Sequence, residues 1–133
     1  MKRQALYIII GVALMLLSVS CGQQHQAKVV IQDFIDQYAT NPSSFGSISI
    51  SKFDSTRILN DSVINRMRAN ADTIKRYQKS ITYANSAPGK KLYVTRINYF
   101  FDNEKYSDTY YLDENLTNIV AFKTNGTVEN EEK

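Results

Sequence analysis

The chain has 133 residues with 16 basic and 13 acidic side chains, a formal charge of +3, one cysteine and one histidine. A chain of this length holds one ordinary domain, and a single cysteine excludes an intramolecular disulfide. Without Lys2 and Arg3, 14 basic side chains face 13 acidic ones, a balance that gives nucleic-acid binding no support.

The first 21 residues carry the most specific pattern. Lys2 and Arg3 form a basic start, and the apolar run Ala5–Leu17 follows it, with small residues at Ser18-Val19-Ser20 before Cys21. That run has 13 residues, short of the roughly 20 needed to span a bilayer but the right length for a signal-peptide core. The arrangement resembles the type II signal peptide of small bacterial lipoproteins of the Bacteroidota kind, although Ser18 stands where such signals usually carry leucine. The resemblance implies removal of residues 1–20 and a diacylglycerol on the Cys21 thiol. Further acylation, with palmitate or a similar chain, would complete the anchor, and several chains hold firmly where one does not. It also implies an outer-membrane location, with the periplasmic face expected because no acidic cluster follows Cys21. Two other readings stay open: ordinary cleavage, since Ser18-Val19-Ser20 also meets the small-x-small rule, and a retained membrane anchor.

Residues 21–26 read as the lipidated cysteine and a short polar tether, and residues 27–123 as one domain. Val30, Ile31, Phe34, Ile35 and Tyr38 recur at three- and four-residue spacing, which predicts an amphipathic helix. Asn41-Pro42 ends it. Within Phe45–Phe53, the alternation Ser47-Ile48-Ser49-Ile50-Ser51 predicts a half-buried strand. Asn60, Asp61 and Ser62 are candidate N-caps for a long second helix. Its stripe runs through Val63, Met67, Ala71, Ile74, Tyr77 or Gln78, and Ile81, as far as Ser86-Ala87-Pro88-Gly89. Strands follow at Lys91–Phe101, Tyr106–Leu112 and Leu116–Lys123, joined by polar turns into a meander. Residues 124–133 read as a polar, flexible tail. The expected fold is α+β in the order α-β-α-β-β-β, with two helices packed on one antiparallel sheet.

Nothing in this pattern spells out a catalytic constellation. His25 lies in the tether, away from any rigid scaffold, so His-based and His/Cys schemes and metal sites are not expected. Asp102, Glu104, Asp113 and Glu114 fall in turns, where backbone chemistry explains them; Asp108 is the exception. No catalytic residue, metal or cofactor is assigned. Arg66, Arg68, Lys75, Arg76 and Lys79 would crowd one helix, either as a solvated face or as a surface for anionic lipid or an acidic partner.

The last third is dense in aromatics, which favour strands and fill cores. Tyr93, Tyr99, Phe100, Tyr110 and Tyr111 would place rings on both sheet faces. Helices covering one face would leave a possible binding face for an envelope protein, a peptide or a sugar, or for a second copy in a homodimer. Asp54-Ser55-Thr56, Asp61-Ser62-Val63 and Asp72-Thr73-Ile74 resemble the O-glycosylation acceptor sites of Bacteroidota envelope proteins, which makes Ser55, Ser62 and Thr73 candidates for modification. The functional expectation is a lipid-anchored, non-catalytic binding or interaction module. One alternative is a small-ligand or enzymatic pocket domain, similar in shape to nuclear-transport-factor-like or cystatin-like folds, with Asp108 and Arg96 on its sheet. Another is an envelope inhibitor or immunity-type protein.

Overall fold

The computed structural model describes residues 21–85 and 89–128. The leader at 1–20, part of the turn expected at Ser86-Ala87-Pro88-Gly89 and the last residues of the tail, 129–133, lie outside the described residues. Helix α1 occupies residues 21–38. Of the predicted stripe, Ile31, Phe34 and Ile35 are buried and Val30 and Tyr38 partly so, and Ala27 is buried beside them. Residues 22–26, expected as a tether, are instead helical and pinned. Gln23 Nε2 donates to the Tyr93 hydroxyl at 3.1 Å, and Gln26 Nε2 donates to the Leu116 carbonyl at 3.2 Å. Glutamine favours a helix, and here one amide finds a partner on β2 and the other in the turn between β3 and β4. Asn41-Pro42 ends the helical run as expected, through a short 3-10 turn at Pro42–Ser44.

Four antiparallel strands follow in spatial order β1-β2-β3-β4, with α2 between the first two in sequence. They are β1 Ser49–Thr56, β2 Leu92–Phe101, β3 Glu104–Leu112 and β4 Ile119–Thr127. The α+β class, the element order and two helices on one antiparallel sheet are as the sequence indicates. Strand β1 begins at Ser49, later than the Ser/Ile alternation suggests, and a bulge between Ile50 and Lys52 then breaks that alternation. The β2–β3 turn needs only Asp102 and Asn103, both with positive φ (49° and 68°), as a tight two-residue hairpin requires.

Strand β4 also runs further than expected. Residues 124–127, assigned to a flexible tail, pair with β3. Asn125 Nδ2 holds this polar end by donating to Ser107 Oγ (3.1 Å) and Thr109 Oγ1 (3.0 Å). The preceding turn is organised by Asp113, whose carboxylate accepts from the Thr117 hydroxyl and from the Thr117 and Asn118 amides. Those bonds outweigh partial burial and hold its pKa below the ordinary carboxylate value.

The second helix is the largest departure. Helix α2 spans only Asp61–Ala71, capped by the Asn60 side chain accepting from the Val63 amide at 2.9 Å. It stops where Thr73 Oγ1 and the Thr73 amide both turn back to the Asn70 carbonyl, at 2.6 and 3.0 Å. Thr73 and Ile74 are β-branched and weak in helices. Beyond them the chain pairs with the end of α1: Thr40 N–H donates to the Arg76 carbonyl and Gln78 N–H to the Tyr38 carbonyl. Ile74, Tyr77 and Ile81 therefore join the core around α1, together with Ala71 from the end of α2.

Register divides the sheet into two faces, since directly paired residues share a side. Phe53, Thr95, Tyr110 and Phe122 form one row of the first face, with Ile50, Ile97, Asp108 and Thr124 in the next. Helix α1 and the segment after α2 cover this face around an aromatic core, in which Phe34 meets Tyr110 and Phe122 edge-on at 5.7 and 5.5 Å. The opposite face carries Asp54, Val94, Tyr111 and Ala121 in one row and Lys52, Arg96, Thr109 and Lys123 in the next. Ile64 and Met67 of α2 pack there with Leu92, Tyr111, Val120 and Ala121. Helix α2 covers only part of this second face; the rest is open.

Candidate functional site

A buried polar network lies at the centre of the first face. Asp108 on β3 has no solvent exposure. Its Oδ2 accepts from the Tyr77 hydroxyl at 2.9 Å and the Tyr99 hydroxyl at 2.5 Å, and Tyr110 is hydrogen-bonded to Tyr77 through their hydroxyls. Because Tyr77 donates to the carboxyl group, Tyr110 donates to Tyr77. Arg76 closes the other side: its Nε donates to the Tyr99 hydroxyl at 3.1 Å and its Nη2 to Thr124 Oγ1 at 3.0 Å. The guanidinium also lies 3.9 Å from the Tyr106 ring centroid. Asp108 Oδ1 is 3.6 Å from Arg76 Nη2, within ion-pair range but beyond hydrogen-bonding distance.

The electrostatics follow from this enclosure. Burial pushes the Tyr77 and Tyr110 hydroxyls well above their ordinary pKa, and neighbouring tyrosines and Asp108 add to the effect. Burial, then the charge of Asp108, also raises Tyr99. Burial disfavours the Arg76 charge, but its contacts with Tyr99, Asp108 and Tyr77 outweigh that and raise its pKa. Each of these hydroxyls is more firmly protonated than a free phenol, so none is primed as a base. The network fixes the segment after α2 onto the sheet.

The sequence-derived candidates are dispersed by the fold. Tyr93, Tyr99 and Tyr110 are buried on the first face, Tyr111 is buried beside α2 on the second, and Phe100 alone is exposed, at 54%. They do not make one aromatic binding face, because α2 moves to the side that the helices were expected to leave bare. Arg96 and Asp108 point to opposite sides, Arg96 paired with Thr109 and Asp108 with Ile97, so they cannot converge in one pocket. The crowded basic helix is divided too. Arg68 turns inward, with Nε donating to the Val120 carbonyl (3.0 Å) and Nη2 to the Ala84 carbonyl (2.8 Å), while Arg76 joins the polar network. Ser55, Ser62 and Thr73 are exposed, and Cys21 is an exposed free thiol at the start of α1.

Two depressions flank the sheet. One, of about 430 Å³, lies between α1 and the 82–84 segment and includes Asp33, Tyr38 and Tyr83. Burial pushes the Tyr83 hydroxyl up to about 12, and it has no hydrogen-bond partner among the described residues. The other, of about 290 Å³, lies on the open second face. Lys52, Arg96 and Lys123 enter it from three strands beside the Thr109 hydroxyl, with Ile58, Leu59 and Val94 as an apolar wall. Among the described residues Arg76–Asp108 is the only ion pair, so these three cations have no carboxylate within 4 Å.

Sequence reading alone missed this cationic row. Lys52 and Lys123 are far apart in the chain, and only the strand register brings them level with Arg96. Among the described residues no helix is long and apolar enough to cross a membrane. No protein-family model, curated protein or solved structure matches the chain.

Proposed function

We propose that the protein is a non-catalytic binding module of the cell envelope, anchored in the outer membrane by lipid on Cys21 and facing the periplasm. The observation that carries this reading is the contrast between the two sheet faces. The first is closed over a buried polar network centred on Asp108, whereas the second presents cations that have no carboxylate within 4 Å among the described residues, beside exposed apolar side chains, including Ile58 at 89% exposure. An unneutralised charged row next to an apolar wall is costly on a surface with no partner, and such surfaces are where recognition concentrates.

The anchor fits the same picture. Cys21 stands exposed on a helix that is bonded to Tyr93 of β2 and to the turn at Leu116, so lipid there would hold the folded domain close to the bilayer. The exposure of Ser55, Ser62 and Thr73 supports their modification in the envelope. Fractionation tests the anchor. Wild type is expected in the membrane pellet, resistant to salt and released by detergent. Cys21→Ala, which the type II route can neither lipidate nor cleave, is expected to lose the lipid mass and to keep residues 1–20. A wild-type protein that salt releases, or that keeps residues 1–20, would contradict the lipid anchor.

A further inference from the structure

Lys52, Arg96, Thr109 and Lys123 form a single cross-strand row, one residue from each of the four strands. Strands in a sheet are spaced about 4.8 Å apart, so the stems of Arg96 and Lys123 stand roughly 10 Å from each other. That spacing allows both long side chains to reach a common point above Thr109. Lys52 stands directly opposite Arg96, a like-charge pairing that destabilises a sheet unless something neutralises it. Thr109 Oγ1 already accepts from Asn125, which leaves its own proton free to donate outward. The row therefore offers three cations and one neutral donor, all directed at whatever occupies the groove.

The remaining walls narrow the choice of ligand. Asp54, Ser55 and Thr56 line the side of the groove next to β1, and Val94, Ile58, Leu59 and Tyr111 line its floor and apolar side. Asp54 Oδ1 accepts from the Ser55 amide at 2.8 Å, so the carboxylate is held by the backbone and not by a cation. At about 290 Å³ the groove suits a small molecule. A single carboxylate would leave most of the cationic charge unmatched, whereas a phosphate monoester brings about −1.5 to −2 and three acceptor oxygens.

We infer that this groove binds a small phosphate monoester carrying hydroxyl groups, of the sugar-phosphate class. The phosphate sits over Arg96, Lys123 and Lys52 with Thr109 donating to it. The hydroxyl-bearing part lies toward Asp54, which accepts from it, and against the apolar wall. The inference rests on the reading of the protein as a binding module and is independent of how it is anchored.

Titration of the detergent-solubilised full chain with glucose 1-phosphate, inorganic phosphate and glucose, by calorimetry at low salt, tests it. Glucose 1-phosphate is expected to bind saturably and more tightly than inorganic phosphate, with glucose alone showing no binding. Arg96→Gln and Lys123→Gln should each weaken binding at least tenfold, while Lys75→Gln, outside the groove, leaves it unchanged. The same two variants should melt no lower than wild type, because removing a charge from the row relieves repulsion; this separates lost binding from lost folding. Asp54→Asn should weaken glucose 1-phosphate and not inorganic phosphate. Absence of saturable binding by both phosphates, or binding indifferent to Arg96→Gln and Lys123→Gln, overturns the site. Equal affinity for the two phosphates overturns the assignment to the sugar-phosphate class. If intact mass in the same preparations shows lipid on Cys21, the envelope-module reading survives either failure.

Discussion

Asp108→Ala is expected to destabilise the domain by about 3–5 kcal/mol, the range for removing one partner of a buried charge pair. The carboxyl group is the common acceptor for Tyr77 and Tyr99, and Arg76 stands against it. Its removal leaves two buried phenols without an acceptor, at about 1–3 kcal/mol for each that finds no water. Arg76, only 14% exposed, loses its charge partner as well. Against a typical total stability of about 5–15 kcal/mol, such a loss is enough to unfold a fraction of the protein at growth temperature. Asp108→Asn keeps the volume and one acceptor oxygen and should cost less. Denaturant midpoints for the two variants measure the difference. A loss below about 1 kcal/mol for the alanine variant would mean that water replaces the carboxylate and that the network is not sealed.

The same tyrosines make stability sensitive to alkaline pH. Burial raises Tyr77, Tyr99 and Tyr110 above the ordinary phenol value near 10. In the unfolded chain these groups ionise at about pH 10, while in the folded protein they keep their protons. Above that pH the unfolded state binds fewer protons, so stability is fully present below about pH 10 and falls as pH rises toward the folded values. Each tyrosine takes roughly 1.4 kcal/mol per pH unit in that window, and the three together about 4 kcal/mol. Melting temperature is therefore expected to be flat to about pH 9.5 and to drop steeply beyond it. Tyr110→Phe should remove roughly 1.4 kcal/mol per pH unit from that slope. Tyrosinate absorbance from all three appearing near pH 10 in the folded protein would contradict the enclosure.

What sequence could and could not reveal follows from the range of each signal. Helix α1 was legible because Ile31, Phe34 and Ile35 repeat locally, and the β2–β3 hairpin because Asp102-Asn103 is a turn chemistry in itself. The end of α2 was not, because Ile74, Tyr77 and Ile81 continue its stripe even after the chain has turned to pack on α1. Periodicity reports that a residue wants burial but not what it will pack against. The polar run at 22–26 and the polar residues 124–127 misled for a related reason. Gln23, Gln26 and Asn125 are satisfied by distant partners that no local pattern announces. Asp108 stood out as the one carboxylate in its group away from a turn, yet its role required Tyr77 and Arg76 from another part of the chain. The cationic row depends wholly on register: a one-residue slip of β4 would send Lys123 to the opposite face.

The proposed lipid anchor on Cys21 is the basis for placing the protein in the envelope, and intact mass of the protein extracted from membranes tests it most directly. The expected species begins at Cys21 and exceeds the peptide mass of residues 21–133 by a diacylglyceryl group and one acyl chain, with any further mass mapping to peptides that carry Ser55, Ser62 or Thr73. A chain that retains residues 1–20, or one that begins at Cys21 with an unmodified thiol, would contradict the lipid anchor.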